Sequence, residues 1–544
     1  MKDKSKKQAI TLSVVAVTTL IALVASATYA YFKAQGGDTT STNLNVTTYT
    51  TDVFTFAVGD KINLEVTQSN FASGKGNAVG NTFASATLTA NNKTNTATEH
   101  YYLYLNIENN DFEYTVNDTT PELMLTITDN KGNEVTDIAG LTHTSVTDAK
   151  GTTISGYDIT TKSGLLKLFN NREITTTSKK EEKWNITITF VNYDADQTKN
   201  ANKTLSAKVM IQKEKIVQTV ANICKNGQSL SSCIISMNGI DDTLYHHNGT
   251  IKSESEYSVT ILGSELTKTY EAGTILDAND GSYRYSGGTD VVNNYVCFGS
   301  NEDTCPESSL YRIIGVFNDK TVKLIKATYA KSDLLGTDGA AYNDDQYYWY
   351  GPNSKSNIWN YSLLNSYNLY RNYFRGVLDK TWQNKIIRNR WSVGGNTADS
   401  LMDSIPSEIY QNEVVSPITD ITGGGYFDWM IGLPYISDFY FAANKEIWLL
   451  PPSSHEYIRN YKDNYQKPEG LRYSVINWLF NPEMYFITRF SESTVGAYYF
   501  DAGEGLHLTR SDDMPKLIYP TFYLNPDVTF VSGSGTSTDP IRIS

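Results

Sequence analysis

From residue 38 to 215 apolar and polar residues alternate in one run after another: DVFTFAV, INLEV, ATLTA, HYYLYLNIE, LMLTITD, WNITITFVNY and LSAKVMIQ. A period of two sends alternate side chains to opposite faces of a strand. The runs are rich in β-branched and aromatic residues, which suit a pleated, half-buried surface. Between them lie SGKGN, ENND, DNKGN and DAKG, whose Gly, Asn and Asp residues favour turns. No long helical periodicity interrupts the series. Seven or more strands at this spacing predict an antiparallel, Ig-like β-sandwich over 38–215.

The N-terminus precedes this pattern with MKDKSKKQAI and an apolar stretch to Ala30. Lysines followed by an apolar run make an export signal. Ala25 and Ala27, or Thr28 and Ala30, supply the small residues of two cleavage junctions. The stretch is also close to the roughly 20 residues that span a bilayer, so residues 1–30 are a signal peptide or a membrane anchor. With lysines held inside, either outcome puts the body outside the cytoplasm, secreted or anchored at the cell surface through residues 10–30. The net charge is −13, and residues 1–30 carry four Lys and one Asp, so −16 falls on the remainder. That surface repels phosphate backbones and argues against nucleic acid as a partner.

The four cysteines are Cys224, Cys233, Cys297 and Cys305. An even count in an exported chain points to disulfides, with three connectivities open. The short spacings favour Cys224–Cys233 and Cys297–Cys305. CKNGQSLSSC and CFGSNEDTC are too wide for zinc-ligand pairs. The first pair lies in a polar stretch, 216–290, read as a linker that begins with a short helical turn, IVQTVANICKN.

Residues 291–544 are rich in Tyr and Trp. NNYVCFG, YRIIGVF and TVKLIKATYA read as strands. Leu363, Tyr367, Tyr370 and Phe374 share one face of a helix that Ser362 caps, and Asp379 caps a turn bearing Trp382 and Ile386. After WSVGGN the chain returns to strand and loop. The pattern predicts an α+β domain and, overall, a mainly β protein with an α+β C-terminal part.

Chemistry is sparse. HExxH, a GxSxG elbow and a Walker lysine after Gly423–Gly425 are absent from the sequence. His246 and His247 are neighbours, so a strand would point them to opposite faces. Asp501 and Glu504 in FDAGEGLHL, and Asp512 and Asp513, are acidic pairs. A Gly-flanked acidic pair between strands reads as a hairpin turn, with a calcium site or a glycosidase pair as the alternatives. No catalytic residue, cofactor or metal site is assigned, and the chain is read as a non-enzyme. The aromatics suggest a platform for sugar rings, because Tyr and Trp offer an apolar face and a polar tip. The candidate ligand face is Trp478 and Tyr499 for stacking, with Arg489 and Asp501 for hydrogen bonds.

Two stretches resemble known families. The ATYAYF junction, followed by a Thr-rich sandwich, resembles the TasA/camelysin group of Gram-positive secreted proteins, which includes biofilm-matrix fibre subunits. The resemblance implies self-assembly through an N-terminal strand such as NLNVTTYTTDVFTF. NNYVCFGSNEDTCPESSLYRIIGVF, WSVGGNT, IGLPYISDFYFAA, FITRF and YPTFYLNPDVTFVSGSGTSTDPIRIS, within 270–544, resemble a surface domain of gut Firmicutes and Mollicutes-like bacteria. Its closing pattern is similar to C-type-lectin-like and sulfatase-modifying-factor-like domains, except that Tyr519 replaces the usual Arg before Pro520. The resemblance implies a C-type-lectin-like domain over 291–544, displayed for adhesion to a glycan or protein ligand. A secreted hydrolase is the remaining alternative.

Overall fold

The computed structural model describes residues 33–35, 52–67, 70, 76–90, 96–138, 140–216, 218–250, 256–261, 264–269, 272–353, 356–397, 401–417, 425–452, 474–481, 483–492, 494–501 and 505–544. The signal or anchor at 1–30 and Glu504 lie outside them. The chain divides into two compact units at Val217–Gln218.

The first unit is built of strands: β1 (Lys33–Gln35), β2 (Val53–Val58), β3 (Ile62–Val66), β4 (Ala78–Thr89), β5 (Ala97–Asn110), β6 (Leu123–Asp129), β7 (His143–Thr147), β8 (Thr153–Asp158), β9 (Gly164–Thr176), β10 (Lys179–Phe190) and β11 (Lys203–Gln212). One sheet runs β1-β11-β5-β9, with β3 also on β11; the other runs β2-β4-β10-β6-β8-β7. All these pairings are antiparallel. Alternation decides which side is buried. In β3, Ile62, Leu64 and Val66 are buried while Asn63 and Glu65 are exposed. Leu88, Leu125 and Ile186 of one sheet join Leu64, Leu105 and Val209 of the other in one hydrophobic cluster. Gly156 lets β8 close on β6, since a Cβ there would meet the Leu125 carbonyl oxygen at 2.3 Å. Loops are tied down by buried Glu122, which accepts from the Thr115 and Val116 amides and from the Gln197 and Asn200 side chains.

The second unit contains β12 (Leu244–His246), β13 (Glu256–Ile261), β14 (Ser264–Thr269), β15 (Tyr283–Tyr285), β16 (Tyr295–Cys297), β17 (Leu310–Val316), β18 (Val322–Lys326), β19 (Gln346–Tyr347), β20 (Asn389–Ser392) and β21 (Gly395–Asn396). These are followed by β22 (Tyr426–Trp429), β23 (Ile431–Gly432), β24 (Glu483–Phe490), β25 (Gly496–Asp501), β26 (Gly505–Arg510), β27 (Lys516–Leu517), β28 (Thr521–Leu524), β29 (Phe530–Ser532) and β30 (Arg542–Ile543). The main sheet runs β12-β15-β17-β18-β28-β23, with β16 on β17, and a second runs β21-β24-β25-β26. Short helices fill in, among them α1 (Leu230–Ser236), α2 (Leu364–Val377), α3 (Pro406–Tyr410) and α4 (Ile436–Phe441).

Both expected disulfides form, Cys224–Cys233 and Cys297–Cys305. The 216–290 stretch departs from the linker reading. Val220, Leu230, Ile234, Leu244 and Tyr285 are buried in the same cluster as the main-sheet residues Ile313 and Leu324. Its polarity hides a few apolar anchors that the unit needs. Helix α2 also departs from expectation. It is π-type, so its buried residues, including Leu364, Asn368, Leu369 and Tyr373, follow steps of four and five, and Tyr367 is exposed. Ser362 does cap it, accepting from the Asn365 amide at 3.2 Å, and Asp379 accepts from the Trp382 amide.

Candidate functional site

The main sheet of the second unit carries a row of registered partners: Arg284 on β15 faces Gly315 on β17, Gly315 faces Lys323 on β18, and Lys323 faces Tyr523 on β28. Registered partners point to the same face, so one row delivers two cations and a phenol to one side. Gly315 makes this possible. A Cβ there would meet the Arg284 side chain at 3.0 Å and the Tyr283 carbonyl oxygen at 2.5 Å. Helix α4 covers that face and brings Asp438.

The three charges meet below the surface. Lys323 Nζ lies 2.6 Å from Asp438 Oδ2, and Arg284 Nη1 lies 3.4 Å from Asp438 Oδ1. Arg284 is also 2.6 Å from Asp280, whose carboxylate accepts from the Tyr410 hydroxyl at 2.7 Å. Burial pushes the Asp280 carboxyl up, but Arg284 and the Ser282 and Tyr410 hydroxyls outweigh it and hold it well below the usual range. For Lys323 burial wins: the ammonium is lowered despite the Asp438 carboxylate beside it. Rings enclose these cations. Nζ of Lys323 is 4.4 Å from the Tyr435 ring centre and 5.2 Å from Tyr523, and the Arg284 guanidinium is 4.9 Å from both Phe317 and Tyr410.

Above this floor a cavity of about 170 Å³ opens to solvent. Tyr410, Tyr435, Tyr523 and Phe317 line it, and Asp319, Asn389 and Arg390 supply polar groups. Aromatic walls with a few polar groups are the usual make-up of a small-molecule pocket. The arrangement can hold a small polar ligand by ring contact and hydrogen bonds. A neighbouring acid, Glu413, is fully buried. Its carboxylate accepts from the Ile436 and Ser437 amides at 3.1 and 3.0 Å and from the Thr488 hydroxyl at 2.5 Å. Burial outweighs these bonds and pushes it up to about 7.

The residues expected to form a ligand face are not gathered on a surface. Trp478 is buried, and its ring lies 4.6 Å from the Arg312 guanidinium, which Tyr295 covers at 4.4 Å. Arg489 is buried and donates to the Val393 carbonyl. Tyr499 is buried under Lys516, 4.3 Å from its ring, and Asp501 lies 3.6 Å from the same Lys516. Lys516 thus brings Tyr499 and Asp501 together, and neither ring of the expected stacking pair faces solvent. His246 stacks on Tyr283, whereas His247 is buried against Phe441 and Trp448. Among the described residues, no three His, Cys, Asp or Glu side chains stand close enough to hold a metal.

Arg284, Lys323, Glu413 and Asp438 were not singled out in the sequence. The available signal was a charge set inside an apolar run: YRY, TVKLI and YISDFYF. A buried charge is rare enough to mark such runs.

No protein-family model matches the chain, and no curated protein matches it. Among the described residues no helix is long and apolar enough to cross a membrane. The two disulfides are consistent with an oxidising compartment.

Proposed function

We propose that this chain is an exported cell-surface protein, in which a two-sheet β-sandwich stalk presents a C-type-lectin-like α+β head for adhesion to a glycan or protein ligand. The observation that carries the reading is the aromatic-walled cavity over Arg284, Lys323 and Asp438, with Asn389 and Arg390 at its side. Its size suits a sugar unit or a short polar side chain rather than an extended polymer. The ligand face moves with it, from Trp478, Arg489, Tyr499 and Asp501 to this cavity. The lysine-led N-terminus, the acidic remainder and the paired cysteines support export.

The test is a glycan array and a cell-adhesion assay with the intact purified protein, alongside Asn389→Ala and Arg390→Ala. Binding that the wild type shows and both variants lose by at least tenfold supports the reading. A folded wild type that binds no glycan and no cells removes it.

One observation favours a matrix-subunit role as a second reading. Strand β1 lies at the edge of its sheet, where among the described residues it pairs Lys33 with Gln212 and Gln35 with Met210. An edge strand offers backbone groups that a strand from another copy can pair with. Sedimentation of the mature protein at rising concentration checks this; a monomer throughout argues against it.

A further inference from the structure

Lys323 and Asp438 are an unusual pair for reasons separate from ligand binding. Both side chains are essentially without solvent contact, at 0% and 1% exposure, and Lys323 Nζ lies 2.6 Å from Asp438 Oδ2, one bond from the carbon it would attack. Each is fixed in place. Lys323 is the second residue of a five-residue strand buried throughout, and Asp438 Oδ2 also accepts from the Tyr435 amide at 2.9 Å. Glu413, from the separate helical segment Gln411–Val415, accepts from the Ile436 and Ser437 amides that precede Asp438. Rings of Tyr435, Tyr523, Trp391 and Phe317 surround the amine within 6 Å.

We propose that Lys323 and Asp438 condense into an intramolecular amide that cross-links β18 to α4. The amine nitrogen attacks Cγ of Asp438, the Nζ–Cγ bond forms, and one Cγ–O bond breaks. An ammonium and a carboxylate become an amide and one water: nitrogen keeps one hydrogen, and its other two leave with the departing oxygen. No oxidant, reductant or cofactor enters the balance.

Three features of the site favour the step. Amide formation in water is held back by the charges on both partners and by entropy. Here burial lowers the ammonium toward the neutral, nucleophilic amine. Fixed partners have effective concentrations of about 10⁵–10⁸ M, enough to offset the dilution term. Arg284, 3.4 Å from Oδ1, faces the oxygen that carries negative charge as Nζ adds. Glu413 is a positioning residue: by accepting from the Ile436 and Ser437 amides it holds the turn that carries Asp438. The adjoining cavity gives water a way out.

The experiment is peptide mapping by mass spectrometry of the full-length protein, reduced and denatured before digestion. The expected product is a branched peptide joining the Lys323 and Asp438 segments, one water lighter than their sum, with no tryptic cleavage after Lys323. It is absent from Lys323→Arg. Wild-type protein that yields only linear peptides, cleaved after Lys323, overturns the proposal. That result needs no variant to fold. For Glu413→Gln, the cross-linked fraction formed after refolding is expected to drop at least tenfold, while the near-UV spectrum stays native. An unchanged fraction overturns the role given to Glu413. Neither outcome depends on whether the cavity binds a glycan.

Discussion

The two units handle charge in opposite ways. In the first, alternating strands leave one face of each sheet for polar residues, and its lysine ion pairs stay near solvent: Lys61 and Lys208 with Glu108, Lys213 with Glu99. In the second, β18 and β28 are buried along their whole length. A strand covered on both faces has no polar side to offer. A charge placed in such a strand must be buried with it, and Lys323, Arg284, Asp438 and Glu413 are. Buried charges are poor sources of stability, because desolvation offsets their attraction. The first unit buries Glu122 among amide donors, whereas the second gathers the cations Arg284 and Lys323 around Asp438.

The sharpest way to break this contrast is Asp438→Ala. It strands Lys323 without a carboxylate and leaves Arg284 with Asp280 alone. Removing one partner of a buried pair costs about 3–5 kcal/mol, more if the cross-link is also lost. Denaturant unfolding should show a large drop in the midpoint of one transition. A midpoint that does not move means the trio is not buried as a unit.

Next in size is a pH effect. Glu413 has an ordinary value of 4.5 and is pushed up to about 7 in the fold. Between those values the folded state keeps a proton that the unfolded state gives up. Stability therefore falls as pH rises from about 4.5 to about 7, by about 3 kcal/mol if the whole shift is realised. Glu413→Gln should flatten that part of the profile. A wild-type profile that rises through this window would show Glu413 ionised and paired instead.

The disulfides come third. Each closes a short loop, with separations of 9 and 8 residues, and the chain-entropy account gives about 2.5 kcal/mol apiece. Cys297→Ser with Cys305→Ser should lower the second unit's midpoint accordingly and leave the first unit's transition unchanged. A shift in both transitions would erase the distinction between the units.

The first unit was the more legible because its information is local. A period of two, read along INLEV or WNITITF, fixes both the strand and its buried face. The disulfide pairs were legible from short spacing. The second unit hid its site because the row Arg284–Gly315–Lys323–Tyr523 joins residues up to 239 positions apart through register alone. Aromatic density pointed to Trp478 and Tyr499, but a large ring is as good a core filler as a binding surface. Their burial beneath Arg312 and Lys516 decides between the two. The linker reading of 216–290 fails because a handful of anchors, Leu230, Ile234 and Leu244, are enough to dock a segment that is polar elsewhere.

The smallest effect tests the other side of the contrast. Glu108 bridges Lys61 and Lys208 at 2.8 Å each, with about a third of its side chain exposed. The Lys208 and Lys61 ammonium groups hold its carboxyl below the ordinary value. At that exposure, water and salt screen most of the attraction, and ordering three long side chains costs entropy. Glu108→Gln should change stability by about 0.5 kcal/mol or less, and the change should vanish in high salt. A loss as large as that from Asp438→Ala would mean the first unit also depends on its charges, and the contrast between the two units would fail.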